Sequence, residues 1–125
     1  MARILIVDDS PTECYKLREI LEKHGHHVLE AANGADGVAM ARSELPDLVL
    51  MDVMMPEMDG YEATRQIRQQ ARWNNLPIIA VTAKAMKDDQ ERCREAGAND
   101  YLAKPIDLDR LFSLIRVWMP KLERL

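Results

Sequence analysis

Short apolar runs alternate with amphipathic stretches along the chain. The runs are Ile4 to Val7, Val28 to Ala31, Leu48 to Met51, Ile78 to Val81 and Tyr101 to Ala103. Most are continuous rather than alternating, the pattern of strands buried on both faces of a parallel sheet. Between them, apolar positions recur at helical spacing. A first helix is predicted from about Pro11 to His24, with Cys14, Leu17, Ile20 and Leu21 on one side. Ser10 suits its N-cap, Pro11 its first position and Gly25 its exit. A second helix is predicted from about Ala35 to Ser43, ahead of Pro46. A third begins near Gly60, carrying Tyr61, Thr64, Ile67 and Arg68. A fourth spans about Lys87 to Ala96 and ends at Gly97. The fifth runs from Leu108 to Met119 and stops at Pro120, with Leu111, Phe112, Leu114, Ile115 and Trp118 as its apolar stripe.

Strands and helices in strict alternation predict an α/β fold, a (βα)5 doubly wound sandwich with helices on both faces of a five-stranded parallel sheet. The flavodoxin-like strand order 2-1-3-4-5 is one common solution, and it opens a ligand crevice beside strands one and three. Composition agrees with this picture and narrows it. The 125 residues match one domain, 1–125, and 47% apolar with 30% charged residues is a globular balance. A formal charge of -4 gives no footprint for nucleic acid. No apolar stretch approaches the roughly 20 residues needed to span a bilayer, and the start, MARILIVDDS, is not a signal peptide. Cys14 and Cys93 lack metal-ligand spacing and read as free thiols of a reducing compartment. By elimination, a cytoplasmic protein is expected.

The polar residues fall at strand ends. Strand one ends in Asp8 and Asp9, strand three in Asp52, strand four in Thr82 and strand five in Lys104 followed by Pro105. In a parallel sheet these carboxyl ends share one rim. Strand two, ending at Asn33 and Gly34, delivers no such group. Taken singly, strand-end acids often cap the helices that follow, and Asp9 alone reads that way. Taken together, three carboxylates on one rim either rise in pKa or hold a cation. Hard oxygen ligands without His or Cys favour Mg²⁺, or Mn²⁺ in its place. Such a site suits phosphoryl transfer, with a carboxylate attacking while Lys104 and the Thr82 hydroxyl meet the phosphoryl oxygens.

The motifs ILIVDDS, LVLMDVMMPEMDG, PIIAVTA and DYLAKPI resemble the receiver domains of two-component response regulators over nearly the whole chain. The resemblance implies that Asp52 is the phosphoacceptor, with Asp9 a direct metal ligand and Asp8 acting through water. Asp52 and the backbone carbonyl of Met54 would complete the metal site. Thr82 matches the switch hydroxyl, Tyr101 the switch aromatic and Lys104 the phosphate-contacting lysine, preceding a cis bond to Pro105. Phosphorylation would draw Thr82 inward and let Tyr101 fill the vacated space, reshaping the face of helix four, strand five and helix five. The other reading of Tyr101 is a packed core aromatic. Partners implied are a sensor histidine kinase or histidine phosphotransfer domain as donor and a downstream protein target, with the chain a monomer or a weak phosphorylation-dependent dimer. It would catalyse only its own phosphorylation and dephosphorylation.

Two parts of the chain differ in character. Residues up to about Leu29 look like stand-alone pilus-linked, chemotaxis-like receivers, whereas about Asp52 to Asp107 look like receivers of hybrid sensor kinases. Natural drift and a chimera both fit, and so does a hybrid-kinase module acting in a phosphorelay. Met54 and Lys84 flank the water's path to the phosphoryl group in the family, which predicts slow self-dephosphorylation. With only Lys121 to Leu125 beyond helix five, no output domain is expected. Rival functions fit less well. An aspartyl-phosphate phosphatase needs an acid where Met54 stands, and a flavodoxin-like cofactor binder would have its phosphate repelled by Asp8 and Asp9. A third rival is a scaffold with vestigial phosphorylation, against which the intact Asp, Thr and Lys set argues. His24, His26 and His27 read as surface loop, the methionines as gap-fillers, and Trp73 to Asn75 as loop filler or an exposed contact. The outer edge of helix five, Arg110 and Arg116, is a candidate for pairing or partner docking.

Overall fold

A computed structural model of the chain describes residues 2–70, 73, 75–83 and 87–118. Ten elements alternate within them: β1 (Arg3–Val7), α1 (Pro11–Lys23), β2 (His27–Ala31), α2 (Gly34–Ser43), β3 (Leu48–Asp52), α3 (Gly60–Arg68), β4 (Ile78–Thr82), α4 (Lys87–Ala96), β5 (Asp100–Ala103) and α5 (Leu108–Trp118). All pairings are parallel, and the sheet runs β2-β1-β3-β4-β5.

The predicted strands are each recovered to within one residue at either end. The residues missed are polar ones at the edges, such as Arg3 and His27, which pair with each other through the backbone ladder. Helix starts follow their caps. Ser10, Asn33 and Asp59 each accept the backbone N–H three residues on, from Glu13, Asp36 and Glu62. Gly25, just past α1, takes φ of 85°, a conformation side chains disfavour.

Alternation along each strand splits the core in two. Ile4, Ile6, Leu48, Leu50, Ile79, Val81 and Leu102 face one side with Leu17 and Leu21 of α1 and Leu111, Leu114 and Ile115 of α5. Leu5, Val7, Val49, Met51 and Ile78 face the other, against Val38 and Ala41 of α2 and Ala63 and Ile67 of α3. Tyr61, Ala80, Cys93 and Ala96 form a smaller cluster beneath α4. The strands are covered on both faces, as their continuous apolar runs require.

Trp73 corrects one expectation. It is neither loop filler nor an exposed contact, because it is buried in the α2–α3 core and its Nε1 donates to the Ala41 carbonyl at 3.2 Å. A lone tryptophan in a polar loop gives no periodicity from which burial is readable. The histidines do lie at the surface turn into β2: His24 and His27 are exposed, and His26 Nδ1 accepts from the Ala2 N–H at 3.2 Å. Both cysteines are free and buried, with burial pushing the Cys14 thiol up to about 11. Among the described residues no helix is long and apolar enough to cross a membrane. The expectations placed on Asn74, Lys84, Met119, Pro120 and Lys121 to Leu125 lie outside the described residues.

Candidate functional site

Strand register carries the polar residues to one rim. Val7 pairs with Met51, so the next residues, Asp8 and Asp52, lie side by side. Asp52 pairs with Val81 and Thr82 with Ala103, which sets Thr82 and Lys104 one step further along the same edge. Carboxylate oxygens of Asp8, Asp9 and Asp52 all lie within 4.8 Å of one another. Lys104 Nζ stands 3.4 Å from Asp8 Oδ2 and 3.6 Å from Asp52 Oδ1. The Lys104–Pro105 bond is cis. Asp8, Asp52 and Thr82 are buried, whereas Asp9 is exposed and opens the cluster to water.

These acids do not serve as helix caps. Ser10 caps α1, and Asp8 Oδ1 accepts the Ser10 N–H at 2.9 Å; Asp59, not Asp52, caps α3. Asp52 Oδ1 accepts the Met54 N–H at 3.1 Å, while the Met54 side chain itself is exposed. Gly60 allows the start of α3 to pack against the end of β3, since any side chain there would strike the Asp52 backbone carbonyl.

Electrostatics follow from the crowding. Burial pushes the Asp52 carboxyl up to about 6. The Met54 N–H and Lys104 pull it down, and neighbouring Asp8 pushes it further up. Burial alone would lower the Lys104 ammonium, but Asp52 and Asp8 outweigh it and hold Lys104 above its ordinary value. Among the described residues, one ammonium faces three carboxylates, which leaves excess negative charge in a pocket of hard oxygens. A divalent cation that prefers oxygen ligands fits that donor set, with Asp9 giving it a route from solvent.

Sequence reasoning missed the cleft beside this rim. It has a volume of about 490 Å³ and is lined by Met54, Pro56, Tyr61, Thr82, Asp89 and Arg92 among others. The Arg92 guanidinium lies 4.5 Å from the Tyr61 ring centroid. No local motif signals this, because the two residues meet only when α3 and α4 pack. A cleft of about 520 Å³ also opens between the β2 turn and α5, lined by His24, His26 and Phe112, but it lies away from the acids and holds none of the rim residues. Tyr101 is half-buried at the edge strand β5, packed against the cluster beneath α4.

The family model of the response regulator receiver domain matches residues 4–116. Protein PilH from Pseudomonas aeruginosa is 56% identical over 115 residues, covering 92% of this chain and 95% of its own length. The polar-differentiation response regulator DivK from Brucella anthropi is 35% identical over 116 residues, covering 93% and 94%. The chemotaxis protein CheY4 from Vibrio cholerae superposes with a TM-score of 0.89 at 28% identity, covering 95% of this chain and 99% of its own. The receiver domain of the sensor histidine kinase PA1611 from Pseudomonas aeruginosa PAO1, solved with a magnesium ion coordinated in its active site cleft, gives a TM-score of 0.86 at 40% identity, covering 94% and 96%. Matched over most of its length in both sequence and shape, the chain belongs to the response regulator receiver domains of two-component signalling, which are signalling modules and not classical enzymes.

Proposed function

We propose that residues 1–125 act as one phosphorylation-dependent switch, in which Asp52 accepts a phosphoryl group from a phosphohistidine donor. The observation that carries this reading is the convergence of three carboxylates within 4.8 Å on a rim that also holds Lys104. The side chains of Asp8, Asp9 and Asp52, with the Met54 backbone carbonyl, would hold Mg²⁺, and Mn²⁺ is expected to substitute. When bound, the ion supplies neutralising charge for the incoming phosphoryl oxygens.

The chain's own groups do the rest. An Asp52 carboxylate oxygen attacks phosphorus as the P–N bond to the donor imidazole breaks, and the imidazole leaves with the electron pair. Lys104, already 3.6 Å from Asp52, pairs with a phosphoryl oxygen. Thr82 donates its hydroxyl hydrogen to another, and Tyr101 moves with it, changing the face of α4, β5 and α5 that a downstream protein reads. The donor is a sensor histidine kinase or a histidine phosphotransfer domain, and the place of action is the cytoplasm. Exposed Met54, which lines the cleft beside the rim together with Thr82, favours slow loss of the phosphoryl group. The 56% identity to PilH spans both parts of the chain that differ in character, which favours a stand-alone receiver of single origin over a hybrid-kinase module.

Acetyl phosphate or phosphoramidate with Mg²⁺ should add the mass of one phosphoryl group to the protein, and Asp52→Asn should abolish the gain. Wild-type protein that gains no mass, or a mutant that labels equally well, overturns the reading.

A further inference from the structure

Tyr101 does not sit alone on its edge strand. Arg110, in the first turn of α5, places its guanidinium carbon 5.6 Å from the Tyr101 ring centroid. The same group reaches the Tyr101 carbonyl at 3.5 Å and the Asp100 carboxylate at 3.7 Å. Asp100 is fixed in turn. Its Oδ1 accepts the Tyr101 N–H at 2.9 Å, and its Oδ2 accepts the Trp118 indole N–H, from the last turn of α5, at 3.4 Å. One carboxylate thus ties both ends of α5 to the strand that carries Tyr101.

We infer that Arg110 is a positioning residue that latches the Tyr101 ring and sets the threshold of the switch. The inference rests on the proposed role of Tyr101. Each contact is weak by itself, for the Arg110 side chain is 48% exposed and its ion pair is screened by water. Their convergence on one residue is what gives them purchase. A ring that turns away must leave the cation above its face and move past the helix turn that presents it. Phosphorylation works against this latch, so the latch decides how much occupancy at Asp52 is needed before the face changes.

Fluorine NMR of the full chain labelled with 3-fluorotyrosine tests this, with the Tyr101 signal assigned by Tyr101→Phe. Beryllofluoride with Mg²⁺ serves as the phosphoryl mimic. In Arg110→Ala the mimic concentration that shifts half of the Tyr101 signal should fall about two- to fivefold, the loss of one exposed cation–π contact. Arg110→Lys, which keeps the cation without the planar fork, should fall between. A wild-type response with an unchanged half-point in Arg110→Ala overturns the latch and leaves the switch standing. Mimic bound at Asp52 with no movement of wild-type Tyr101 overturns the switch and the latch together.

Discussion

Charge is buried at both ends of the sheet, and the two places are built in opposite ways. At the carboxyl ends of the strands, Asp8 and Asp52 are buried with the Lys104 ammonium between them and a third acid at the mouth. At the amino ends lies Arg68, the last residue of α3, half-buried. Its guanidinium donates to the carbonyls of Trp73 and Leu76 at 2.7 Å, to the Gly97 carbonyl at 2.9 Å and to Asn99 Oδ1 at 2.8 Å. Asn99 Oδ1 also accepts the Ile78 N–H at 2.8 Å, so one side chain serves both the arginine and the start of β4. Burial lowers the Arg68 pKa, but its donors meet neutral oxygens held by the fold. Perturbation by burial therefore does not separate a working site from a structural one. Satisfaction does. Four of the five Arg68 donors meet acceptors that the fold places for them, whereas the acid rim, among the described residues, carries more negative charge than its ammonium offsets.

The largest effect expected from this contrast is on stability at the Arg68 end. Arg68→Met keeps the length of the side chain and removes the donors, leaving several carbonyls without partners. A loss of about 3 kcal/mol is expected, since each buried acceptor left unpaired costs roughly 1–3 kcal/mol and some regain water. Urea denaturation reads it directly. Below its unfolding range the variant should still accept a phosphoryl group from acetyl phosphate. A loss under about 1 kcal/mol would show that Arg68 is not the anchor its geometry implies.

The two ends were also unequally legible in the sequence. Asp52 closes an apolar run and its neighbours at strand ends share its chemistry, so topology alone brings them together. The parallel register then does what a motif promises, because each polar residue is the next one after a paired apolar residue. Arg68 announces nothing. It reads as one more charge on an amphipathic helix, because its partners are mostly backbone carbonyls of Trp73, Leu76 and Gly97, and a carbonyl has no signature in sequence. Trp73 was misread for the same reason, its burial depending on α2 and α3 closing over a loop. The latch at Arg110 was visible only as an exposed edge of α5. What sequence shows is the side chain that meets water or ligand; what it hides is the side chain that meets main chain.

A smaller effect, of opposite sign, is expected at the rim. Burial and Asp8 hold the Asp52 carboxyl near 6, above the 3.8 of an ordinary aspartate. Between those values the folded state keeps a proton that the unfolded chain has released, so stability falls as pH rises from about 4 to about 6 and is level above. Asp52→Asn removes that dependence and should stabilise the Mg²⁺-free protein at pH 7 by about 2–3 kcal/mol. Urea midpoints for both proteins across pH 4 to 7 decide it. Parallel curves would mean that the rim is as well compensated as the Arg68 end, and the contrast between them would collapse.

The finest test concerns Lys104, a group at the rim that resembles the arrangement around Arg68. It is a cation already in place, 3.4 Å from Asp8 and 3.6 Å from Asp52, and its side chain is only partly shielded from water. In the metal-free state it offsets some of the charge that a divalent ion would otherwise neutralise. The two cations therefore compete for the same field, and removing one should favour the other. Lys104→Met is expected to bind Mg²⁺ about two- to fivefold more tightly, corresponding to the 0.5–1 kcal/mol of a partly screened pair. Calorimetric titration at constant ionic strength measures it, with Arg68→Met as the control that changes a distant cation and should leave Mg²⁺ affinity alone. Weaker binding in Lys104→Met would mean that the lysine organises the acids rather than competing for them. The rim would then be a preformed cradle needing its own cation to hold shape, closer in kind to the Arg68 end than its excess of acids implies.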